Sequence, residues 1–292
     1  MNKISVLVST YNSERFIKET IESILNQTHI NYEIIIVDNN SADKTTDIIN
    51  QYNDKRLILK TLDKNYGQTY ALNFGLKFCK GEYIARIDSD DIALPNRLER
   101  QLDIIEKKKL DLLSTQVLYI NEKNQIIGKS NFYNLNNFNH YFILLSNPIA
   151  HPSTMFRRES IMKENGYNER YRYWQDMDMW IRFLKKNKTF IVDDYLTKIR
   201  IHSNQTSKIK DSNVNKLRKS ELINLIDENI HSKDLNQKIK VLLVLKKNIL
   251  NLLIDRNLRL FLKLFIYVVK NMKNILFNKY FYIIIYIYLR KR

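Results

Sequence analysis

The sequence predicts an α/β fold: a mostly parallel sheet flanked by helices, then a small antiparallel part and a C-terminal helical tail. Three observations lead there. From Ile4 to Asp91 apolar, β-prone runs alternate with segments of helical period, the pattern of a doubly wound parallel sheet. Past Lys109 two β-prone stretches are joined by the short polar turn Asn121-Glu122-Lys123-Asn124, which brings in antiparallel pairing. Beyond Ser203 the chain changes to Lys, Asn, Leu and Ile with no glycine or proline, which is helical composition. Residues 1–205 are therefore expected to form one domain and 206–292 a basic, amphipathic helical tail.

Taken in order, Ile4 to Ser9 is a strand, and Phe16, Ile17, Ile21, Ile24 and Leu25 recur at helical spacing after it. Tyr32 to Val37, almost all aromatic or β-branched, makes a second strand, and Ser41 is the expected N-cap of a helix carrying Ile48 and Ile49. Leu57 to Leu62 is a third strand. Gln68 to Phe78 is a helix, and Gly81 breaks it before the strand Tyr83 to Ile87. Leu98, Leu102 and Ile105 stripe a helix that opens near Pro95 and ends in Lys107-Lys108-Lys109, cations suited to the negative end of its dipole. Leu112 to Ile120 and Gln125 to Gly128 are the antiparallel pair. Ser130 to Phe142 is asparagine-rich, aromatic and without an assignable pattern. Ser153 to Arg157 is a strand, Asp176 to Leu184 a helix, and Thr189 to Val192 and Leu196 to Ile201 a last pair of strands ending at His202.

With 292 residues the chain can bury a substantial core, and 48 basic against 31 acidic residues, a net +17, call for an anionic partner: nucleic acid, anionic lipid or nucleotide. No aromatic–basic recognition module is visible, so no nucleic acid is expected. Cys79 is the only cysteine, which excludes an internal disulfide and a cysteine-based zinc site, and its apolar surroundings make it a packed core thiol. Met1-Asn2-Lys3 leads straight into a strand, so the catalytic part is expected to face the cytoplasm. From Asp255 onward regularly spaced cations punctuate Leu, Ile, Phe and Tyr. The longest clean apolar run, Phe281 to Leu289, is about half of the ~20 residues a membrane span needs. Such a segment suits the surface of an anionic membrane, or a helical cap on the domain or on a second copy, so a homodimer stays open.

Function is concentrated where Tyr83-Ile84-Ala85-Arg86-Ile87 ends in Asp88-Ser89-Asp90-Asp91. Open α/β sheets bind ligands just beyond the carboxyl ends of their strands. Asp88 and Asp90, two apart in an extended segment, can lean to one side and share a divalent cation, and oxygen-only ligands suit Mg²⁺ or Mn²⁺ and hence a phosphate-bearing substrate. Thr10-Tyr11-Asn12 and Asp38-Asn39-Asn40-Ser41 follow the first two strands, so topology gathers three polar clusters at one edge. Each also has a local explanation, since Asn12 or Ser13 can cap a helix and Asp38 can open an Asx turn.

In order and spacing, Val8 to Asn12, Ile36-Val37-Asp38, Asn65-Tyr66-Gly67 with Ala71 to Gly75, Arg86 to Asp91, Pro95-Asn96-Arg97-Leu98, His151-Pro152-Ser153, Gln175 to Trp180 and Arg200-Ile201-His202 resemble a family 2 glycosyltransferase of the inverting, bacterial surface-polysaccharide type. The resemblance spans about the first 205 residues and implies a GT-A fold with a nucleotide-binding sheet and a small antiparallel acceptor-side part. It implies that Thr10, Tyr11 and Asn12 hold base and ribose, that Asp38 reads the base edge, and that Asn65, Arg86, Asp88 and Ser89 complete the nucleotide-sugar site. Asp90 and His202 are implied as the metal side, Asp176 as catalytic base, and His151, Trp174 and Gln175 as the acceptor side.

The chemistry agrees with those roles. A divalent ion with few protein ligands neutralises the leaving diphosphate, Arg86 adds a fixed cation, and a carboxylate takes the acceptor hydroxyl's proton. At the start of a helix, Asp176 is favoured in its charged form, and Trp174 beside it offers a platform for a sugar face. A single displacement inverts the anomeric centre, so an α-linked donor gives a β-linked product. Two positions depart from the family pattern: Asn39 replaces a second acid after Asp38, and Gln175 replaces an acid before the base. The Gln-x-x-Arg-Trp motif of processive synthases is absent, so one sugar per encounter is expected. The expected activity is transfer of one hexose (glucose, galactose or an N-acetylhexosamine) from a UDP-sugar to a lipid-linked, lipopolysaccharide or capsule glycan, as in O-antigen assembly, on the inner face of the cell membrane. The rival is a catalytically silent sugar-nucleotide or lipid-binding subunit.

Overall fold

The computed structural model describes residues 3–132, 140–203, 205 and 211–235, with 239–240, 242–244, 246–247 and 250 beyond them. The chain divides into two compact units, one of residues 1–140 and 147–209, the other of residues 141–146 and 210–292.

Among the described residues the first unit is built on nine strands. Their order is β3(Leu57–Thr61), β2(Tyr32–Asp38), β1(Ile4–Thr10), β4(Tyr83–Arg86), β8(Met155–Arg157), β6(Leu112–Ile120), β9(Thr189–Arg200), β5(Ile92–Ala93), with β7(Ile126–Lys129) paired to β6. β1, β2, β3 and β4 are mutually parallel, as are β6 and β9; β8 runs antiparallel to both β4 and β6 and so joins the two parallel groups. β1, β2 and β4 are buried along their whole length, as continuous apolar runs in a sheet covered on both faces must be. Helices α1(Ile17–Leu25), α2(Thr45–Asn50), α3(Gln68–Leu76) and α4(Arg97–Lys107) alternate with these strands. α3 reaches β1 and β2 closely because of Gly75: a Cβ there would stand 2.5 Å from Leu7 Cδ1 and 2.9 Å from Val37 Cγ2. Gly81 is tighter still, since a Cβ would meet the Ser5 nitrogen at 2.5 Å, and backbone does not yield.

The chain leaves β1 towards β2 and β3 on one side and returns to β4 on the other, which opens a crevice at the carboxyl ends of β1 and β4. Thr10 stands beside Asp38 in the register there, and Arg86, the last residue of β4, is level with Leu7.

Several sequence expectations change. Ser41 does not cap α2, which starts at Thr45: the Ser41 hydroxyl donates to Asp38 Oδ1 at 2.5 Å and accepts from the Asn12 N–H at 2.9 Å, while Asp43 Oδ1 takes the Thr45 N–H. The last pair of strands is one strand, β9. Asp193 and Asp194 suggest a turn by composition, but they are extra residues in a register that steps from Thr115↔Val192 to Gln116↔Tyr195, and Asp194 takes the Arg100 Nε–H at 3.1 Å. β8 starts at Met155 rather than at Ser153, because Ser153 closes the 3₁₀ turn His151–Ser153 that precedes it. The two-residue β5 and the short helix α5(Arg158–Lys163) carry no periodic signal long enough to detect. The remaining first-unit helix, α6(Gln175–Leu184), buries Met177, Trp180 and Ile181.

In the second unit, α7(Ser212–Ile230) is N-capped by Asp211, whose Oδ1 accepts from the N–H groups of Asn213 and Val214 at 2.8 and 2.9 Å. Tyr141 and Phe142, from the stretch without a pattern, are buried in this unit together with Ile143 and Leu144, and the Tyr141 hydroxyl donates to Ser232 Oγ at 2.5 Å. The rest of that stretch from 133 to 139, and the basic aromatic segment beyond Asp255, lie outside the described residues. Among the described residues no helix is long and apolar enough to cross a membrane.

Candidate active site

At the crevice lies a cavity of about 670 Å³ with polar walls. Thr10, Tyr11, Asn12, Asn65, Asp88, Ser89, Asp90 and His202 all line it. The loops after β1 and β2 are tied into one wall by reciprocal bonds: Asn12 Oδ1 accepts from the Ala42 N–H at 2.9 Å, and Thr45 Oγ1 accepts from the Ser13 N–H at 2.8 Å. Asn12 sits at φ 48°, a left-handed conformation that asparagine tolerates better than most side chains. Asn65 is fixed by the Asn39 Nδ2–H at 2.8 Å and the Gly67 N–H at 2.9 Å. Asp38 is fully buried and does not line the cavity; Ser41 takes both its oxygens in an Asx turn, so in this conformation the carboxylate shapes the loop and does not meet the cavity.

The acidic loop is the electrostatic centre. Asp88, Asp90 and Asp91 each offer an oxygen within 4.8 Å of the others. Burial, with the Asp90 and Asp88 charges beside it, pushes the Asp91 carboxyl well above the usual range; burial also raises Asp88, against the attraction of Arg86. Arg86 is 1% exposed and grips Asp88 with two guanidinium bonds, one of them 2.6 Å. It is held from behind by Arg97, also buried, which donates to the Arg86 carbonyl at 2.6 Å and whose own pKa burial lowers to about 9. Asp91 Oδ1 accepts from the Arg200 N–H at 2.9 Å, whereas its Oδ2 is buried without a hydrogen-bond partner among the described residues.

β9 closes this loop from across the sheet. Arg200, with no exposed surface, donates from Nε to the Asp90 carbonyl and from the guanidinium to Glu19 at 2.9 Å and Asn124 at 2.6 Å, its plane over the Phe16 ring. Two residues on, His202 Nε2 lies 2.9 Å from Asp90 Oδ2, with the imidazole also packed on Phe16. The three clustered carboxylates of Asp88, Asp90 and Asp91, an orphaned Asp91 oxygen and the His202 imidazole at the cavity wall fit a hard divalent cation.

Asp176 lies in the first turn of α6, half-buried, and accepts from Asn147 Nδ2 at 3.4 Å. Burial raises its pKa, against the Met177 N–H and the Arg86 charge. Gln175 is buried and donates from Nε2 to Gln68 Oε1 at 3.1 Å, and Gln68 Nε2 in turn donates to Asp88 Oδ1 at 3.2 Å. Trp174 is the residue before α6 and, like Gln175 and Asp176, is not among the cavity's lining residues. His151 is not at the cavity either. It is 7% exposed, edge-on to Trp180 and 2.7 Å from the Tyr167 hydroxyl, and burial holds its pKa well below the ordinary imidazole range. A neutral, packed side chain of this kind supports the fold around the site.

Residues 5–166 match the model of Glycosyl transferase family 2. The chain belongs to that family. An uncharacterised glycosyltransferase of Methanocaldococcus jannaschii is 38% identical over 217 residues, 71% of this chain and 74% of that one. The O-antigen biosynthesis glycosyltransferase WbnJ of Escherichia coli is 33% identical over 71% of this chain and 83% of its own length. Among solved structures, S. aureus TarS 1-349 in complex with UDP-GlcNAc has a TM-score of 0.68 at 23% identity, covering 87% of this chain and 74% of that one. The mannosyltransferase PcManGT of Pyrobaculum calidifontis, in complex with GDP-Man and Mn2+, has a TM-score of 0.63 at 17% identity, covering 92% and 75%. At such identities these two show the fold, which is the GT-A fold, a mostly parallel sheet flanked by helices.

For a family 2 glycosyltransferase, sequence reasoning left out Gln68, Ser13 and the role of Asp91. Ser13 Oγ lies 2.8 Å from Ser89 Oγ and so connects the first loop to the acidic one. Asp91 was visible as the third acid of its cluster, but only the register of β9 explains its burial. Gln68 had no signal beyond its place at the start of a helix.

Proposed function

We propose that this glycosyltransferase moves one hexose from a UDP-linked donor to a lipid-linked glycan acceptor, inverting the anomeric centre. The observation that carries this reading is the acidic loop at the polar cavity, with Asp90 against His202 and Asp88 locked to Arg86. Asp88 and Asn65, with Thr10, Tyr11 and Asn12, are assigned to base and ribose, and Asp90, with His202 and Asp91, to the metal side. Mn²⁺ or Mg²⁺ bound there would neutralise charge growing on the diphosphate. Asp176 is assigned as the base that takes the acceptor hydroxyl's proton, and the depth of its site raises its proton affinity for that task. TarS in complex with UDP-GlcNAc supports a UDP-linked donor, and the O-antigen role printed for WbnJ supports a surface-glycan acceptor. The net charge of +17 supports action at an anionic membrane surface on the cytoplasmic side.

Transfer across UDP-, GDP- and dTDP-sugars, with Mn²⁺ or EDTA and a lipid-linked GlcNAc acceptor, tests the proposal. Metal-dependent consumption of one UDP-hexose is the expected result; preference for a GDP- or dTDP-sugar would overturn the donor assignment, and UDP binding without turnover of any donor would favour a silent binding subunit.

A further inference from the structure

Four aromatic side chains form one column along the outer edge of the sheet. β3 ends the strand order on that side, and α3 packs on β1 and β2 with Ala71, Leu72, Gly75 and Leu76 buried beneath it. Tyr66, Tyr70, Phe74 and Phe78 recur every fourth residue, so one ring follows another along the helix. Successive ring centroids lie 4.5, 6.4 and 5.1 Å apart, the first two pairs stacked and the last tilted. An ammonium group covers the ring at each end: Lys64 Nζ is 4.8 Å from the centre of Tyr66, and Lys60 Nζ, from β3, is 4.7 Å from that of Phe78.

The other flank of α3 is occupied, since Thr69 Oγ1 donates to the Tyr171 carbonyl and Asn73 Nδ2 to the Tyr167 carbonyl, both at 2.8 Å. On the aromatic flank Tyr66 is 40% exposed and the three rings after it are half-buried. Tyr66 stands between Asn65 and Gly67, which both line the cavity, so the column begins at the cavity rim.

This construction selects among partners. A sugar stacks on an open aromatic face, but most faces here are turned to a neighbouring ring or to an ammonium group. Ring edges, tyrosine hydroxyls and cations are left to face outward. From residue 60 to 80 there are four lysines, Lys60, Lys64, Lys77 and Lys80, against one acid, Asp63. Aromatic edges with lysines laid along them match the interface of an anionic bilayer, where tyrosine rings sit at headgroup level and ammonium groups meet lipid phosphate.

We propose that this flank of α3, with Lys60 and Lys64, is a lipid-contact surface of the first unit itself, seating the cavity rim at the headgroups of an anionic membrane. The inference rests on the proposed action at a membrane surface and assigns that contact a place outside the C-terminal segment. A lipid-linked acceptor then reaches the cavity without leaving the headgroup layer.

The test uses the full chain with phosphatidylcholine vesicles, with and without phosphatidylglycerol. A polarity-sensitive fluorophore is placed at Lys77→Cys, two helical turns beyond Tyr70 on the same flank, and for comparison at Ile126→Cys on β7, where Ile126 is 60% exposed. The wild type, whose single thiol Cys79 is buried, is the labelling blank. Phosphatidylglycerol vesicles are expected to shift the emission at position 77 to the blue and to leave position 126 unmoved. Lys60→Gln with Lys64→Gln is expected to weaken vesicle binding about tenfold and to leave UDP affinity in solution unchanged. Both results are required. Vesicle binding with a silent label at position 77, or with wild-type affinity in the double variant, overturns the inference and leaves membrane action to another part of the chain. A response at position 77 without vesicles also overturns it, in favour of a second copy if it grows with chain concentration, or of a glycan if a soluble oligosaccharide elicits it. A chain that binds neither kind of vesicle overturns the membrane-surface reading as well.

Discussion

The two halves of the sheet reach the same crevice by different routes. In the half from β1 to β4, each strand leads directly into the loop that uses it, so Thr10, Asn12 and Asp88 stand where their own strands end. In the half from β5 to β9, the important groups arrive from far along the chain: His202 is 112 residues from its partner Asp90, and Arg200 is 109 residues from Asp91. The difference teaches that the first half supplies the acids locally, while the second fixes their geometry through one long strand.

Breaking the chemistry of both halves should have the largest effect. Asp176→Asn and Asp90→Asn are each expected to lower kcat by about a hundredfold or more with the fold intact, as judged by an unchanged denaturation midpoint. Full turnover in Asp176→Asn would remove the base assignment. Arg200→Met tests the link between the halves. Losing a fully buried cation that serves Glu19, Asn124 and the Asp90 carbonyl should cost about 3 kcal/mol in urea unfolding. A loss below about 1 kcal/mol would mean that β9 does not hold the acidic loop.

A local counterpart lies in the first half. Gly81→Ala should destabilise by about 1–3 kcal/mol, because the added methyl meets the Ser5 backbone, and the metal dependence of activity should survive. Smaller still is a pH effect beside α6. The folded-state pKa of His151 lies well below its ordinary value, so below about pH 6.5 the unfolded chain binds a proton that the folded chain does not. Its contribution is full above about pH 6.5 and is lost as pH falls towards the folded pKa, with a slope of at most about 1.4 kcal/mol per pH unit. His151→Asn should flatten that part of the stability profile, and an unchanged slope would assign it to other groups.

The same contrast explains what the sequence could reveal. β1, β2 and β4 were legible because buried parallel strands are continuous apolar runs and polar residues at their ends are conspicuous. Cys79, taken from its apolar surroundings as a core thiol, is buried, and desolvation pushes it up to about 12. The continuity of β9 was hidden because Asp193-Asp194 has turn-like composition, while pairing with β6 over both flanking stretches keeps the strand whole. β5 was too short to show periodicity, and its pairing with Thr197 and Lys198 depends on a partner more than a hundred residues away. The Gln68–Gln175 bridge was illegible for the same reason, since neither glutamine is distinctive until the fold puts them 3.1 Å apart.

The most direct measurement is UDP affinity by calorimetry in Mn²⁺ and in EDTA, for the wild type and Asp90→Asn. If the acidic loop closed by His202 is the metal-assisted donor site, Mn²⁺ tightens UDP binding by about tenfold or more in the wild type and has no effect in Asp90→Asn. Equal UDP affinity in Mn²⁺ and EDTA for the wild type, or an undiminished Mn²⁺ effect in Asp90→Asn, would contradict it.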